Sequence, residues 1–347
     1  SGLITPVGVG TANLTGVYHY VTGATTNTYT ASTAVTVVPN PPTTLMHRYS
    51  FNDGTANDSA GHANGTLAGN TTVSGGELVI PNSTAAAPAT DYLQLPPGIL
   101  TNAINGIGPN YTVPAATIEA WASFAPNQYT WANLFDFGTQ DASGFDSYSI
   151  SFCVNTGGSP AGVNDAAISD GDNANVDRFN TYAGPSLAGN TNVHLVVVFN
   201  PPANYTAFYT NGDLMGFNSN VTLSMAGINA TRNLIGADNW PDSGLQGSVD
   251  EFRIYNGALT TNEIAATQIL GPDQLLSSAS PALNASLANG NLKLTWPLAA
   301  AGFTLMSRTN LVSGAWSPVS LSPQIVGGEW KVTLPISART QFFRLQE

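Results

Sequence analysis

The sequence predicts an all-β fold: an antiparallel two-sheet sandwich with a second, smaller β-sandwich at the C-terminal end. Three observations carry this. Charged residues make up 9% of the chain, against roughly 25% in ordinary soluble domains. Helix surfaces are usually built from Glu, Lys, Arg and Gln, and here Lys293 and Lys331 are the only lysines. Thr, Val, Tyr and Phe, with 35 Gly and 22 Pro, suit short strands joined by many turns. Apolar and polar residues also alternate with period two in run after run, the pattern of half-buried strands.

The elements follow in three units. Residues 1–42 contain no Asp, Glu, Lys or Arg; residues 43–271 hold 18 acidic and 4 basic residues; residues 272–347 hold 3 and 5. Prolines stand at both borders, Pro39, Pro41 and Pro42 at the first, Pro272 and Pro281 at the second. In 1–42, Val17-Tyr18-His19-Tyr20-Val21 and Ala34-Val35-Thr36-Val37-Val38 predict a hairpin joined by a Thr/Asn/Gly stretch. An isolated hairpin is not stable in water, so a covering partner is expected, in this chain or another. Pro39-Asn40-Pro41-Pro42 reads as a stiff, extended linker.

In 43–271, strands are expected at His47-Arg48-Tyr49-Ser50-Phe51, at Thr117-Ile118-Glu119-Ala120-Trp121, at 148–154, 194–199, 205–209 and 249–255. Asn211-Gly212 predicts a two-residue hairpin turn. One helix is expected, with Thr260 as N-cap, Glu263 three residues on, and Gly271-Pro272 closing it. In 272–347, runs such as Leu292-Lys293-Leu294-Thr295-Trp296 and Trp330-Lys331-Val332-Thr333-Leu334 predict a further small sandwich.

Several function classes are excluded. A net charge of −12 repels nucleic-acid phosphates and anionic membranes. The longest apolar runs, such as 195–199, are too short to insert across a bilayer. A single cysteine, Cys153, rules out an intrachain disulfide framework. It sits among Ile150, Phe152 and Val154 and reads as an inert strand residue. The chain begins at Ser1 instead of Met, as expected of a processed product or an excised piece.

The order of the motifs in residues 45–270 resembles a laminin-G-like, concanavalin A-like jelly roll of bacterial surface proteins. The residues that carry the resemblance are His47-Arg48-Tyr49-Ser50-Phe51, Asn57-Asp58-Ser59-Ala60-Gly61, the Glu119-Ala120-Trp121 strand, Tyr209-Thr210-Asn211-Gly212, and Gly247-Ser248-Val249-Asp250-Glu251-Phe252. The Trp that often precedes the family's His is absent before His194. Residues 1–42 resemble the last two strands of an immunoglobulin-like domain. Residues 272–347 resemble a fibronectin-III-like module, closing on Phe342-Phe343-Arg344-Leu345.

The resemblance implies a structural calcium near the first loop and last strand, at Asp53, Asn57, Asp58 and Asp250. Carboxylate and amide oxygens are suitable hard ligands. The competing reading is that Asp58 makes an Asx-turn and Asp250 accepts backbone N–H groups. Asp170-Gly171-Asp172-Asn173-Ala174-Asn175-Val176-Asp177 is acidic but departs from the EF-hand pattern at Ala174. Glu251 and Arg253 share a strand face and can pair with each other or with Glu119.

No histidine falls in a zinc-site spacing, and no nucleophile elbow or phosphate loop occurs. Glycoside hydrolysis needs two carboxylates across the sugar, and no single strand carries such a pair. Tyr129, Trp131 and Trp240 stand in loops beside Asn and Asp, where rings stack on sugar faces and amides take hydroxyls. Ten Asn-x-Ser/Thr sequons reflect the Asn- and Thr-rich composition.

The chain thus reads as a non-catalytic, extracellular or cell-surface carbohydrate-binding or adhesive module, its partner a glycan. The alternatives are a subunit of a filament or surface assembly, a homo-oligomer joined to neighbouring subunits through N-terminal strand addition, and a glycan-active hydrolase.

Overall fold

The computed structural model describes residues 10–22, 25–37, 43–101, 112–169, 178–228, 230–336 and 340–347. The acidic loop at 170–177 and the proline linker at 39–42 lie outside them. Two compact units emerge. One is Pro42–Ser278 with Leu298–Gly302; the other comprises Ser1–Pro41, Ala279–Pro297 and Phe303–Glu347. Among the described residues no helix is long and apolar enough to cross a membrane.

The N-terminal strands β1 (Gly10–Thr22) and β2 (Thr25–Val37) pair antiparallel along their whole length, from Gly10 opposite Val37 to Thr22 opposite Thr25. The Thr/Asn stretch expected to link two short strands is itself strand, because threonine's branched side chain suits the pleat.

The larger unit contains β3 (Thr44–Tyr49), β4 (Thr66–Ala68), β5 (Thr72–Ser74), β6 (Glu77–Ile80), β7 (Tyr92–Leu95), β8 (Ala116–Phe124) and β9 (Ala132–Gln140). It continues with β10 (Asp146–Asn155), β11 (Asn164–Ser169), β12 (Arg178–Ala183), β13 (Val193–Asn200), β14 (Tyr205–Thr210), β15 (Asp213–Asn218), β16 (Arg232–Ile235) and β17 (Gly247–Asn256). One sheet has the order β12-β11-β10-β9-β16-β7-β4. The other has the order β15-β14-β13-β8-β17-β6-β5, with β3 also paired to β17. All pairings are antiparallel, and their non-sequential order makes a jelly-roll sandwich.

The core lies between these sheets. Phe135 meets Phe199 and Phe252 edge-on with ring centroids 6.4 and 6.1 Å apart, and Phe137 meets Phe252 at 6.0 Å. Edge-to-face contacts of this kind add to the burial of large rings. The β14–β15 turn uses Asn211 at φ 52° and Gly212 at φ 86°, as an Asn-Gly turn requires. Helix α1 (Thr261–Leu270) opens on a full capping box between Thr260 and Glu263 and ends at Gly271. Its Ile264 packs with Val196, Val198 and Tyr255 on the outer face of the second sheet.

The C-terminal strands are β18 (Asn284–Ala288), β19 (Asn291–Pro297), β20 (Thr304–Arg308), β21 (Ser317–Pro318), β22 (Gln324–Val326), β23 (Glu329–Pro335) and β24 (Phe342–Gln346). They form sheets of four and three strands, β18-β19-β23-β22 and β21-β20-β24. Trp296 and Trp330 are buried opposite each other on β19 and β23.

Candidate functional site

Strand alternation on the seven-stranded sheet sends Phe135, Phe137, Ile150, Phe152 and Ile168 to the core. Their neighbours Asp136, Ser151, Cys153 and Asp165 face outward. Asp136 stands opposite Ser151, and Cys153 stands opposite Asn133 on one side and Asp165 on the other. The register shifts between Phe152 and Cys153. This irregularity brings Asn133 to the same face as Asp136, three residues along, where plain alternation would oppose them.

The loop after β16 folds back over this face. Its ends are closed by Gly236 N–H donating to Leu134 C=O (2.8 Å) and Leu245 N–H donating to Gly236 C=O (2.9 Å). Gly236 has φ 92°, and a Cβ there would lie 2.6 Å from Ile80 Cδ1, so a side chain at this position would be both strained and crowded. Inside the loop, Asn239 donates through its backbone N–H to Asp136 Oδ2 (3.1 Å) and through Nδ2 to Asp136 Oδ1 (2.8 Å). Arg232 Nη1 donates to Asp238 C=O at 2.9 Å. Asn133 Nδ2 donates to Asp238 Oδ2 at 2.8 Å.

The result is a cleft of about 320 Å³ with Trp131 and Trp240 on its walls. Asp136, Asp165, Asp238 and Asp242 also line it. Trp131 sits at φ 64°, a sparsely populated region for a bulky residue. Its indole lies so close to the Gly157-Gly158 backbone that a Cβ on either would come within 2.9 or 3.1 Å of the ring. Trp240 packs edge-on against Phe145, centroids 5.3 Å apart, and its buried Nε1 has no hydrogen-bond partner among the described residues.

Burial, then the charges of Asp136 and Asp242, hold the Asp238 carboxyl well above its ordinary value. Burial also raises Asp242. Cys153 is pushed up by burial, with Asp165, Asp238 and Asp242 adding to the effect, so it is a thiol and no nucleophile.

Two of the three aromatic residues singled out in the sequence therefore meet in one cleft. Tyr129 does not join them; its backbone carbonyl accepts from Asn155 Nδ2 at 3.3 Å. The aspartates were missed. A scan along single strands finds no carboxylate pair, yet the fold gathers four from β9, β11 and one loop. The only local signal was Asp238 and Asp242 flanking Trp240.

The residues expected to hold calcium lie elsewhere. Asp58 is buried, and its carboxylate accepts from the backbone N–H of Arg48 (2.8 Å), Ala60 (3.0 Å), Gly61 (3.0 Å) and Ala63 (2.8 Å). His47 Nδ1 lies 2.7 Å from the same carboxylate. Burial opposes ionisation there, but these hydrogen bonds outweigh it and hold Asp58 far below the usual carboxylate range. Asp53 Oδ1 accepts from Thr55 N–H at 2.9 Å, and Asn57 is exposed.

Asp250 sits at a register shift between Val249 and Glu251, so it does not share the core face of Phe252 and Ile254 as plain alternation predicts. It lines a separate hollow of about 180 Å³ with Glu77 and Trp121. Among the described residues no group of three or more His, Cys, Asp and Glu is placed to hold a metal.

A second polar cluster lies on the outer face of the eight-stranded sheet. Glu119 Oε1 is 2.9 Å from His194 Nε2, and Glu119 Oε2 accepts from Arg253 Nη1 (3.1 Å) and Tyr255 Oη (2.8 Å). Arg253 Nε donates to Glu251 Oε1 at 2.6 Å, and Arg48 Nε donates to the same oxygen at 2.6 Å. Both pairings read from strand faces, Glu251–Arg253 and Arg253–Glu119, are present. Trp121 stacks on His194 at 4.4 Å and lies 4.6 Å from the Arg253 guanidinium carbon. Arg253 also donates to the carbonyls of Pro272 and Gln274. Its charged side chains and Tyr255 are engaged with one another or with backbone carbonyls, and only His194 Nδ1 lacks a partner among the described residues, so this cluster is a structural network.

Comparison with known families now has a geometry to meet. The profile of the concanavalin A-like lectin/glucanases superfamily matches residues 87–265. The chain belongs to this superfamily. The match takes in β8 to β17, and so both walls of the cleft.

Similar solved structures include domain 4 of AbnA, a GH43 extracellular arabinanase from Geobacillus stearothermophilus, in complex with arabinotriose. It is 19% identical with a TM-score of 0.46, over 64% of this chain and 97% of that one. The CBM40 of Ruminococcus gnavus IT-sialidase, bound to α2,3 sialyllactose, is 12% identical with a TM-score of 0.35, over 44% and 82%. The NanB sialidase of Streptococcus pneumoniae is 18% identical with a TM-score of 0.34; the match covers 53% of this chain and 30% of the sialidase. No curated protein matches the sequence.

Proposed function

We propose that this concanavalin A-like jelly roll is a non-catalytic, extracellular carbohydrate-binding module, and that a saccharide sits between Trp131 and Trp240. One observation carries this: two indole walls and a floor of hydrogen-bonding groups converge on one cleft of about 320 Å³. Sugar rings bind through CH faces on aromatic planes and through hydroxyls on amides and carboxylates. Trp131 is pre-set for that role by its backbone conformation and by the glycines beneath it, which reduces the ordering cost of binding. Three of the four carboxylates already have internal duties. Asp136 anchors the loop through Asn239, Asp165 Oδ1 accepts from Thr181 N–H at 3.1 Å, and Asp238 accepts from Asn133. Such engagement favours holding a ligand over turning one over.

Glycan-array screening followed by calorimetry tests the assignment. Trp131→Ala and Trp240→Ala should each weaken a captured glycan, and the double variant should abolish capture without unfolding the chain. Full binding by the double variant would sink it. The hydrolase reading keeps one observation in its favour, the raised Asp238 carboxyl among ionised neighbours, a general-acid environment. Reducing ends released from a polysaccharide by the wild type and not by Asp238→Asn would establish that alternative.

A further inference from the structure

We infer that the saccharide selected by this cleft carries a free amine: the site takes an amino sugar in its ammonium form and rejects sialylated and other anionic glycans. The inference rests on the cleft reading above and adds its chemical class. It starts from a donor and acceptor inventory. Ionised carboxylates are acceptors only, and four aspartates line the cleft while no Lys, Arg or His does so among the described residues. Asn133 is the lining amide, and its Nδ2 is already spent on Trp131 C=O (3.0 Å) and Asp238 (2.8 Å). The other lining donors are the Ser151 hydroxyl and the Trp240 indole N–H, which has no partner among the described residues. Four carboxyl groups outnumber them, so most of the donors have to come from the occupant.

Two of the acceptors are open. Asp238 is only 5% exposed and lines the cleft, and its Oδ1 makes no hydrogen bond among the described residues. Asp242 makes no side-chain hydrogen bond there either, and its partly buried carboxylate stands on the same wall. A hydrogen bond to a charged group is among the stronger ones. An ammonium supplies three N–H donors and the opposing charge together. A neutral hydroxyl supplies one donor and no charge.

Charge decides against anions. The charges of Asp136 and Asp242 add to burial in raising the Asp238 carboxyl, the mark of a negative field in the cleft. A ligand carboxylate or sulfate would join that group of like charges in a site partly shut off from water, where repulsion is poorly screened. The surrounding residues 43–271 carry 18 acidic and 4 basic residues, so steering also favours a cation.

The test uses the full chain and three probes: a β-1,4-linked glucosamine tetramer, its fully N-acetylated counterpart, and sialyllactose. By calorimetry at low salt, the amine tetramer should bind about tenfold or more tightly than the acetylated one, since acetylation removes the charge. That ratio should shrink in 0.5 M salt and in both Asp238→Asn and Asp242→Asn, and sialyllactose should not bind. Equal affinity for the amine and acetylated tetramers, lost in Trp131→Ala, would overturn the amine assignment and leave the cleft reading standing. Sialyllactose binding, or no binding of the amine tetramer at millimolar concentration, would also overturn it. Amine binding that survives the Trp131→Ala/Trp240→Ala variant would refute the cleft reading itself.

Discussion

Removing the charge of Glu119 should cost the jelly roll several kilocalories per mole. The side chain is fully buried and takes His194 on one oxygen and Arg253 and Tyr255 on the other. In Glu119→Gln one of those oxygens becomes an NH2 group and faces a donor, while Arg253 keeps Glu251 alone. Breaking one partner out of a buried ion pair costs about 3–5 kcal/mol. Burial alone would raise the Glu119 carboxyl, but His194 and Arg253 together bring it from 4.5 down to about 2. That displacement corresponds to about 3 kcal/mol, in line with the first figure.

A unit of this size shifts its melting temperature by about 2–4 °C per kcal/mol, so the variant should melt about 6–20 °C lower at pH 7. The sign with pH follows. A depressed carboxyl stabilises fully above its unfolded value of 4.5, and that contribution is lost as pH falls toward the folded value of about 2. The gap between wild type and variant should therefore close across pH 4.5 to 2 in calorimetric melts. A variant within about 2 °C of wild type at pH 7, or a gap independent of pH, would refute the assignment of this network as a stabilising one.

Other outcomes follow from single contacts. Gly157→Ala places a Cβ 2.9 Å from Trp131 Nε1; it should weaken a captured glycan about threefold to tenfold by calorimetry, while circular dichroism stays unchanged. Asp58→Asn strips a charge that five donors share, and should cost about 1.5–3 kcal/mol in urea unfolding at pH 7, with the difference fading below pH 3.8 because the folded carboxyl is depressed. A wild-type melting temperature that falls in excess EDTA while Asp58→Asn is insensitive would assign that carboxylate to calcium instead. The N-terminal hairpin has Val17, Tyr18 and Tyr29 more than half exposed and no charge, so deleting residues 1–38 should abolish self-association in light scattering. An intact chain that stays monomeric at every concentration would count against that.

Much of the fold was legible because its determinants are local. Alternation located β8, β10, β13 and β17; the Asn211-Gly212 pair marked a turn, and Thr260 with Glu263 marked a helix start. The Glu119–Arg253–Glu251 pairing was legible too, since strand parity alone puts those side chains on one face. The cleft was half legible. Trp131 and Trp240 stood out by residue type and company, but the joining of Asp136, Asp165 and Asp238 depends on sheet order β11-β10-β9-β16, a non-local property. Irregular registers hid the rest. A shift in β9–β10 rotates Asn133 into the cleft, and another at Asp250 breaks the parity that placed it with Phe252. A period-two pattern cannot announce the residue at which it fails.

Arg253 does more than neutralise Glu119. Its guanidinium, rooted in a central strand, also grips the carbonyls of Pro272 and Gln274, and Arg48 reaches Pro272 C=O at 3.5 Å. These carbonyls belong to the segment by which the chain leaves the jelly roll. Going back along the chain from residue 278, this grip comes before helix α1 and before strand β17. The grip is made by buried, charge-assisted bonds anchored on β17, a strand bonded on either side by β8 and β3. The exit of the chain is thus a mooring point on the central strand β17.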